Sequence, residues 1–267
     1  MKIGFVQFAP VFGEVASNLA RAKTLLAGFD GDIVVLPEFF NSGYLFVSKD
    51  EVERLAEEIP TGPTTTMLLE IARAQNIHIV AGLPERAGER FFNSAVVVSP
   101  QGLLGTYRKS HLFFEEKLFF THGDTGMKVF DIAGCKVGVM VCFDWFFPET
   151  MRVLALAGAD LVCHCANLVL PFCQNAMVTR CLENGVFAIT ANRTGNDIRG
   201  AKRLDFTGAS QITGPRGEIL YRATAERDEV FSVEVDIHRS RDKQLNPFND
   251  LFADRRVDCY GAITTAL

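Results

Sequence analysis

Positive charge is not in excess in this chain of 267 residues. Lysine and arginine number 27 against 32 aspartates and glutamates, the net charge is −5, and no basic block stands out. A nucleic-acid partner is therefore not expected. No apolar run is long enough to cross a bilayer, so no membrane association is expected either. The chain opens Met1-Lys2-Ile3-Gly4-Phe5-Val6, straight into a strand-like run. It lacks the apolar stretch and small-residue cleavage site of a secretion signal. Seven cysteines are an odd number for a disulfide scaffold, and 48% of residues are hydrophobic, enough for a core without cross-links. A reducing, cytoplasmic location is expected. Cys163, Cys165, Cys173 and Cys181 cluster near His164, but no paired C-x-x-C accompanies them. In a strand, His164 points away from Cys163 and Cys165, so these are read as core cysteines, with no metal expected. No linker, repeat or low-complexity run divides the chain, which reads as one domain over residues 1–267.

What the chain does have is alternation of strands and helices. Lys2 to Phe8 reads as a strand, followed by a helix with Leu19, Ala22, Leu26 and Phe29 at helical spacing and Ser17 as its cap. Ile33 to Leu36 is a short strand ending at Pro37-Glu38. Val52 to Ile59 and Thr64 to Gln75 read as helices, Ile77 to Leu83 and Phe92 to Val98 as strands. A Ser99-Pro100-Gln101-Gly102 turn leads to Leu103 through Tyr107. Met127 to Ile132 and Lys136 to Val141 form a hairpin. Then come a helix from Pro148 to near Gly158, the strand Leu161 to Cys165, a helix from about Phe172 to Glu183, and the strand Val186 to Ala191. Thr207 to Thr213, Glu218 to Tyr221 and Glu229 to Val235 close the pattern with antiparallel character. There are more strands than one sheet holds comfortably. Two stacked sheets with helices outside are the economical layering, although the pattern alone does not exclude a single wide mixed sheet.

The run Lys136 to Glu149 delivers Cys142 at the C-terminal end of a buried strand. Pro148 then suits the first turn of a helix, and Glu149 complements its dipole. A thiol at a strand-to-helix junction suits a nucleophile, because nearby helix-terminal N–H groups can stabilise an anion. Taken alone, Cys142 is equally readable as a buried structural cysteine. Two further polar residues stand at strand ends in apolar, aromatic surroundings, Glu38 and Lys109. Their chemistry is complementary to a thiol. Glu38 can accept its proton, and Lys109, with the Phe143 N–H, can hold a tetrahedral oxyanion. A lysine beside the thiol is also expected to favour the thiolate. His111 and His122 offer a cysteine–histidine dyad, a weaker choice because Glu38 and Lys109 already fill both roles.

Leu36-Pro37-Glu38-Phe39, Tyr107-Arg108-Lys109-Ser110-His111-Leu112 and Val141-Cys142-Phe143-Asp144-Trp145-Phe146-Phe147-Pro148-Glu149 resemble the three signature blocks of the nitrilase superfamily, the carbon–nitrogen hydrolases. The likeness extends to Phe92-Asn93-Ser94-Ala95, Gly123-Asp124 and Ala191-Asn192-Arg193. It implies an α/β fold, a four-layer α-β-β-α sandwich of two stacked mixed sheets with helices outside. It also implies a catalytic triad at Glu38, Lys109 and Cys142, with Glu116 as a second active-site glutamate. The implied chemistry is covalent hydrolysis through a cysteine thioester, with neither metal nor organic cofactor. Family members form dimers or larger oligomers. That makes the tail from about residue 237, with Phe248, Leu251 and Phe252, and the Phe146, Phe147 and Met151 region candidate interface elements. Cys142-Phe143-Asp144 resembles the amidase and carbamoylase branches, which implies a small-molecule amide or N-carbamoyl substrate. A nitrile substrate and a silent interaction protein of the same fold are the alternatives. Tyr44, Phe143, Trp145, Asn167 and Arg193 are the candidate substrate-binding residues.

Overall fold

A computed structural model describes residues 1–265. In its first part, β1 (Lys2–Gln7), α1 (Val15–Ala27), β2 (Ile33–Val35), α2 (Lys49–Leu55), β3 (Glu57–Glu58) and α3 (Pro63–Gln75) alternate. The long strands β4 (His78–Ala87), β5 (Arg90–Ser99) and β6 (Gly102–Arg108) follow, then a short α4 (Glu116–Phe119). The second part runs β7 (Val129–Ile132), β8 (Cys135–Val141), α5 (Pro148–Leu156), β9 (Leu161–Cys165), α6 (Cys173–Asn184) and β10 (Phe187–Ala191). After it come the hairpin β11 (Asn196–Arg199) and β12 (Lys202–Asp205), then β13 (Gln211–Thr213), β14 (Ile219–Arg222) and β15 (Glu229–Glu234). A last small hairpin pairs β16 (Gln244–Asn246) with β17 (Asn249–Asp250).

Two mixed sheets result. One has the order β15-β1-β2-β4-β5-β6 with β3 added to β4, the other β14-β13-β10-β9-β8-β7. The first is buried on both faces, and strict alternation tells the faces apart. Ile3, Phe5, Ile33, Val35, Val80, Ala95 and Val97 pack toward Val137, Val139 and Val141 of the second sheet. Their neighbours Val6, Val34, Leu36, Ile79, Ala81, Val96 and Val98 pack beneath Ala22 and Leu26 of α1 and Leu68 and Ile71 of α3. A strand wedged between a helix layer and another sheet must be apolar on both sides, which is why these segments read as unbroken hydrophobic runs. Helices α5 and α6 bury Met151, Leu154, Met177 and Cys181 against the second sheet. The layering is the α-β-β-α sandwich.

Several local expectations need correction. Ser17 lies inside α1, which starts at Val15 without a side-chain cap. Asn18 closes that end instead, its amide bonding the Val11 backbone through both N–H and C=O. Helix α2 starts earlier than expected, because Ser48 accepts the Glu51 N–H, and it stops at Leu55. The chain beyond it is extended because the buried Glu57 carboxylate accepts the Thr64 N–H at 2.8 Å and the Asn41 amide at 3.0 Å. Between Cys142 and α5 stands an unforeseen 3-10 turn, Cys142–Phe146. Met151 is buried in the core and is not available to a partner, whereas Phe146 and Phe248 are exposed. Cys163, Cys165, Cys173 and Cys181 are buried free thiols.

Two glycines permit close backbone packing behind the strand ends. A Cβ on Gly82 would sit 2.6 Å from the Cα of Glu38, and one on Gly123 would overlap the Arg108 carbonyl and lie 2.8 Å from that of Lys109. Both obstacles are backbone, which cannot rotate aside. Gly82→Ala and Gly123→Ala are therefore expected to destabilise the fold by about 2 kcal/mol or more each. Gly28→Ala, where the added atom meets only the Leu25 carbonyl at 3.6 Å, serves as the tolerated control. Denaturant melts of the three variants test this, and equal midpoints would show that the close approach imposes nothing.

Candidate active site

The three blocks converge from both sheets. Glu38 lies just past β2, where the parallel pairing with β4 continues as Leu36 N–H to Val80 C=O, and Phe40 N–H bonds Gly82 C=O. Lys109 follows β6, its N–H donating to Asn93 C=O and its C=O accepting from Gly123 N–H. Cys142 ends β8. The backbone is strained beside or at two of these positions, with Phe39 at φ +48° and Cys142 at φ +40°. Left-handed conformations are costly for residues with a Cβ and persist where the surroundings over-determine them.

Glu38, Lys109 and Glu116 form one buried ionic set. The Lys109 ammonium donates to Glu38 Oε1 at 2.8 Å and to both Glu116 oxygens at 2.8 Å. The Asn93 amide donates to Glu38 at 2.6 Å, and the Tyr44 hydroxyl and the Phe113 N–H donate to Glu116 at 2.6 and 3.2 Å. The second Glu38 oxygen, Oε2, is buried and has no hydrogen-bond partner. Burial pushes Glu38 up to about 7, with the charge of Glu116 adding to the rise and Lys109 opposing it. Burial alone would lower Lys109, but the Glu116 and Glu38 charges outweigh it and keep it protonated.

The thiol behaves differently from the expectation that a lysine neighbour favours the thiolate. Burial, then the Glu38 charge, push Cys142 well above the ordinary thiol range, and Lys109 only partly offsets them. Two carboxylates share one ammonium, so the set carries a net negative charge when fully ionised, and a thiolate beside it would add another. Cys142 therefore rests as a neutral thiol, its Sγ 3.7 Å from the Asn167 carbonyl oxygen.

Asp144 ties the nucleophile turn to the lysine segment. Its buried carboxylate accepts from Val141 N–H at 2.9 Å and from the Tyr107 hydroxyl at 2.8 Å, and it meets the His111 ring at 2.7 Å. Asn167 donates to the Glu38 carbonyl oxygen at 2.8 Å. His111 is occupied by Asp144 and stacks on Phe147, and the exposed His122 contacts Ser110 C=O, so neither meets the thiol. Asn93 and Asp144 lie within the segments that carry the resemblance but are given no site role there, and Phe113 is not among the candidates. The signals available were a lone amide within the apolar β5 and a carboxylate two residues after Cys142.

A small cavity opens on the thiol, lined by Phe113, Phe143, Trp145, Asn167, Leu168, Val169 and Leu170. It holds about 20 Å³ of free space, room for a water-sized molecule. Tyr44 stands with Glu116 at an adjoining cleft walled by Phe46, Phe113 and Phe120. Arg193 is apart from both. Its buried guanidinium bonds Asp197 and the Pro10 carbonyl and lies over the Phe206 ring. Asp197 in turn accepts the Tyr44 and Leu45 N–H groups, so Arg193 supports the loop that carries Tyr44.

The family model described as Carbon-nitrogen hydrolase matches residues 2–243. A Pyrococcus abyssi protein named nitrilase is 47% identical, over 97% of this chain and 99% of its own length. An (R)-stereoselective amidase from a Pseudomonas species is 35% identical, over 99% of this chain and 94% of its own. Among solved structures, an amidase from a Nesterenkonia species, with acrylamide added to its active-site cysteine, aligns with a TM-score of 0.79 at 25% identity, covering 97% of each chain. With a family match across most of its length and relatives of this similarity end to end, the chain belongs to the carbon–nitrogen hydrolase family of enzymes, within the nitrilase superfamily.

Proposed function

We propose that the chain hydrolyses the carbon–nitrogen bond of a small, uncharged amide or N-carbamoyl compound through a thioester on Cys142, releasing ammonia and a carboxylic acid from an amide, or an amine, carbon dioxide and ammonia from an N-carbamoyl compound. The observation that carries this reading is the buried Glu38–Lys109–Glu116 set beside a neutral thiol. A neutral thiol needs a base at the moment of attack, and the unpartnered Oε2 of Glu38 is free to act as one. The Sγ–H proton passes to Glu38 as the sulfur–carbon bond forms and the carbonyl electrons move onto oxygen. Lys109 and the Phe143 N–H receive that oxyanion. The first N–H groups of the 3-10 turn lack partners within the turn and are suited to this. Glu38 then returns the proton to the departing nitrogen as the carbon–nitrogen bond breaks. Water, giving a proton to Glu38, attacks the thioester, and the thiol leaves with that proton. Glu116 holds the lysine in place.

The apolar walls Phe113, Phe143, Trp145, Leu168, Val169 and Leu170 favour a small uncharged acyl group, with Tyr44 and Asn167 at the polar end. Arg193 serves at a distance, through Asp197. The two amidase relatives support the amide reading, and the acrylamide adduct on one of them supports a reactive cysteine at the corresponding place. The Pyrococcus relative favours a second reading, a small nitrile substrate. The same proposal takes residues 1–267 as one catalytic domain in the cytoplasm, assembled as a homodimer or larger. Exposed Phe146, Val153 and Leu156 on and beside α5, together with the tail, support an interface there.

Cys142→Ala is expected to abolish turnover without loss of fold. In the unaltered protein, kcat/KM should fall about tenfold per pH unit below about pH 7, because a Glu38 raised to about 7 is protonated there and cannot accept the thiol proton. Glu38→Gln should cost about a hundredfold or more and flatten that acid limb. A profile independent of pH on its acid side, or near-normal turnover by Glu38→Gln, would remove Glu38 as the base.

The substrate class is tested by matched pairs, each an aliphatic amide and the nitrile of the same carbon skeleton. The amide gives an oxyanion directly, whereas the nitrile passes through a thioimidate that needs an extra water and proton transfer before ammonia leaves. A higher kcat/KM for the amide is expected across the pairs. A consistent preference for the nitrile would promote the second reading.

A further inference from the structure

A buried polar side chain meets the backbone of Cys142 from the strand next to it. In parallel register His164 of β9 lies beside Met140 of β8 and beside Thr190 of β10. Its imidazole is fully buried. Nε2 lies 2.9 Å from the carbonyl oxygen of Cys142, and Nδ1 lies 3.2 Å from the Thr190 hydroxyl. A carbonyl oxygen only accepts, so Nε2 carries the proton, and the neutral ring then accepts the Thr190 O–H at Nδ1. Burial holds the ring pKa down at about 4, which keeps it in this neutral form.

The consequence follows from the planarity of one peptide. The Cys142–Phe143 bond is trans, so the Cys142 C=O and the Phe143 N–H point in opposite directions from a rigid plane. A donor that anchors the carbonyl thereby aims the N–H. The 3-10 turn aligns this peptide as well, but Cys142 sits at its strained first position, φ +40°, where a turn has least hold on its own end.

We infer that His164 is a positioning residue for the oxyanion site: through Cys142 C=O it holds the Phe143 N–H toward the tetrahedral oxygen, and Thr190 selects the tautomer that does so. It touches neither substrate nor the reacting sulfur. This inference rests on the thioester reading for the identity of the oxyanion. It separates two properties of Cys142 that otherwise travel together, the reactivity of its sulfur and the stabilisation of what that sulfur forms. Alkylation by iodoacetamide displaces iodide and forms no oxyanion, so it reports the sulfur alone. Butyraldehyde adds to the thiol as a hemithioacetal, which presents a tetrahedral oxygen without any carbon–nitrogen cleavage.

The test compares His164→Gln with His164→Asn. The glutamine amide reaches the place of Nε2, while the asparagine amide reaches only that of Nδ1, and both keep a polar group of similar burial cost. His164→Asn is expected to lower kcat on butyramide and the affinity for butyraldehyde by roughly tenfold or more. KM should stay within about twofold and the rate of Cys142 alkylation within about threefold. His164→Gln is expected to restore both lost quantities to within a few-fold of the original. Loss of alkylation in step with turnover would make His164 a support for the thiol rather than for the oxyanion. Unchanged turnover in His164→Asn, or glutamine no better than asparagine, would also overturn the inference. If the unaltered protein bound butyraldehyde with this pattern of variants but cleaved no amide, the amidase reading would fall and the role of His164 would stand.

Discussion

One ammonium shared by two buried carboxylates is the constraint around which the site is arranged. Taking Glu38, Lys109 and Glu116 out of water is costly, and the cost is offset only because each charge has close partners: Lys109 at 2.8 Å from both acids, Asn93 on Glu38, Tyr44 and the Phe113 N–H on Glu116. Burial first, and the Glu38 charge after it, push the thiol well above its ordinary range, and one lysine shared between two carboxylates only partly offsets them. A Glu38 raised to about 7 is poised to exchange a proton with the thiol near neutral pH. In the proposed mechanism, the surplus of negative charge that looks unfavourable for a nucleophile couples thiol deprotonation to attack.

Precision comes from backbone rather than from side-chain reach. Glu38 is followed by a left-handed Phe39, Cys142 is itself left-handed, Gly82 lets β4 lie directly against the Glu38 backbone, and Gly123 lets the loop before β7 lie against that of Lys109. Asp144 links Val141, Tyr107 and His111, so the segment carrying the thiol and the segment carrying the lysine share one carboxylate. Strain at Cys142 survives because hydrogen bonds from two directions, Asp144 on one side and His164 on the other, leave the turn no other arrangement.

The layers of the fold were legible because strands outnumber what one sheet holds and alternate with helices, and because the middles of β1, β2, β4 and β8, covered on both faces, are apolar. The same property hid other features. Continuous apolar runs carry no mark of which neighbour they pair with, and Ser17 and Ile59 were misread where a local rule met a tertiary contact. Ser17 is a good capping residue by type, yet Asn18 makes the closing bonds. The residues before Ile59 have helical spacing, yet the capture of Glu57 by Thr64 and Asn41 pulls the chain into an extended bridge.

By itself the sequence determined the alternation of strands and helices, the positions of Glu38, Lys109 and Cys142 at strand ends, and the family to which they are similar. These depend on residue type and periodicity along the chain, which are local properties. Only the tertiary structure decided that two sheets stack, how closely both carboxylates approach the lysine, that burial raises the thiol, that Arg193 bonds Asp197 away from the cavity, and that His164 faces the Cys142 carbonyl. Each of these depends on distances between residues far apart in the chain, Glu38 and Lys109 being 71 positions apart and His164 and Cys142 22. Electrostatic energy and hydrogen bonding fall off over a few ångströms, so they are set by which strands lie side by side, and that pairing is written nowhere in the local pattern of the chain.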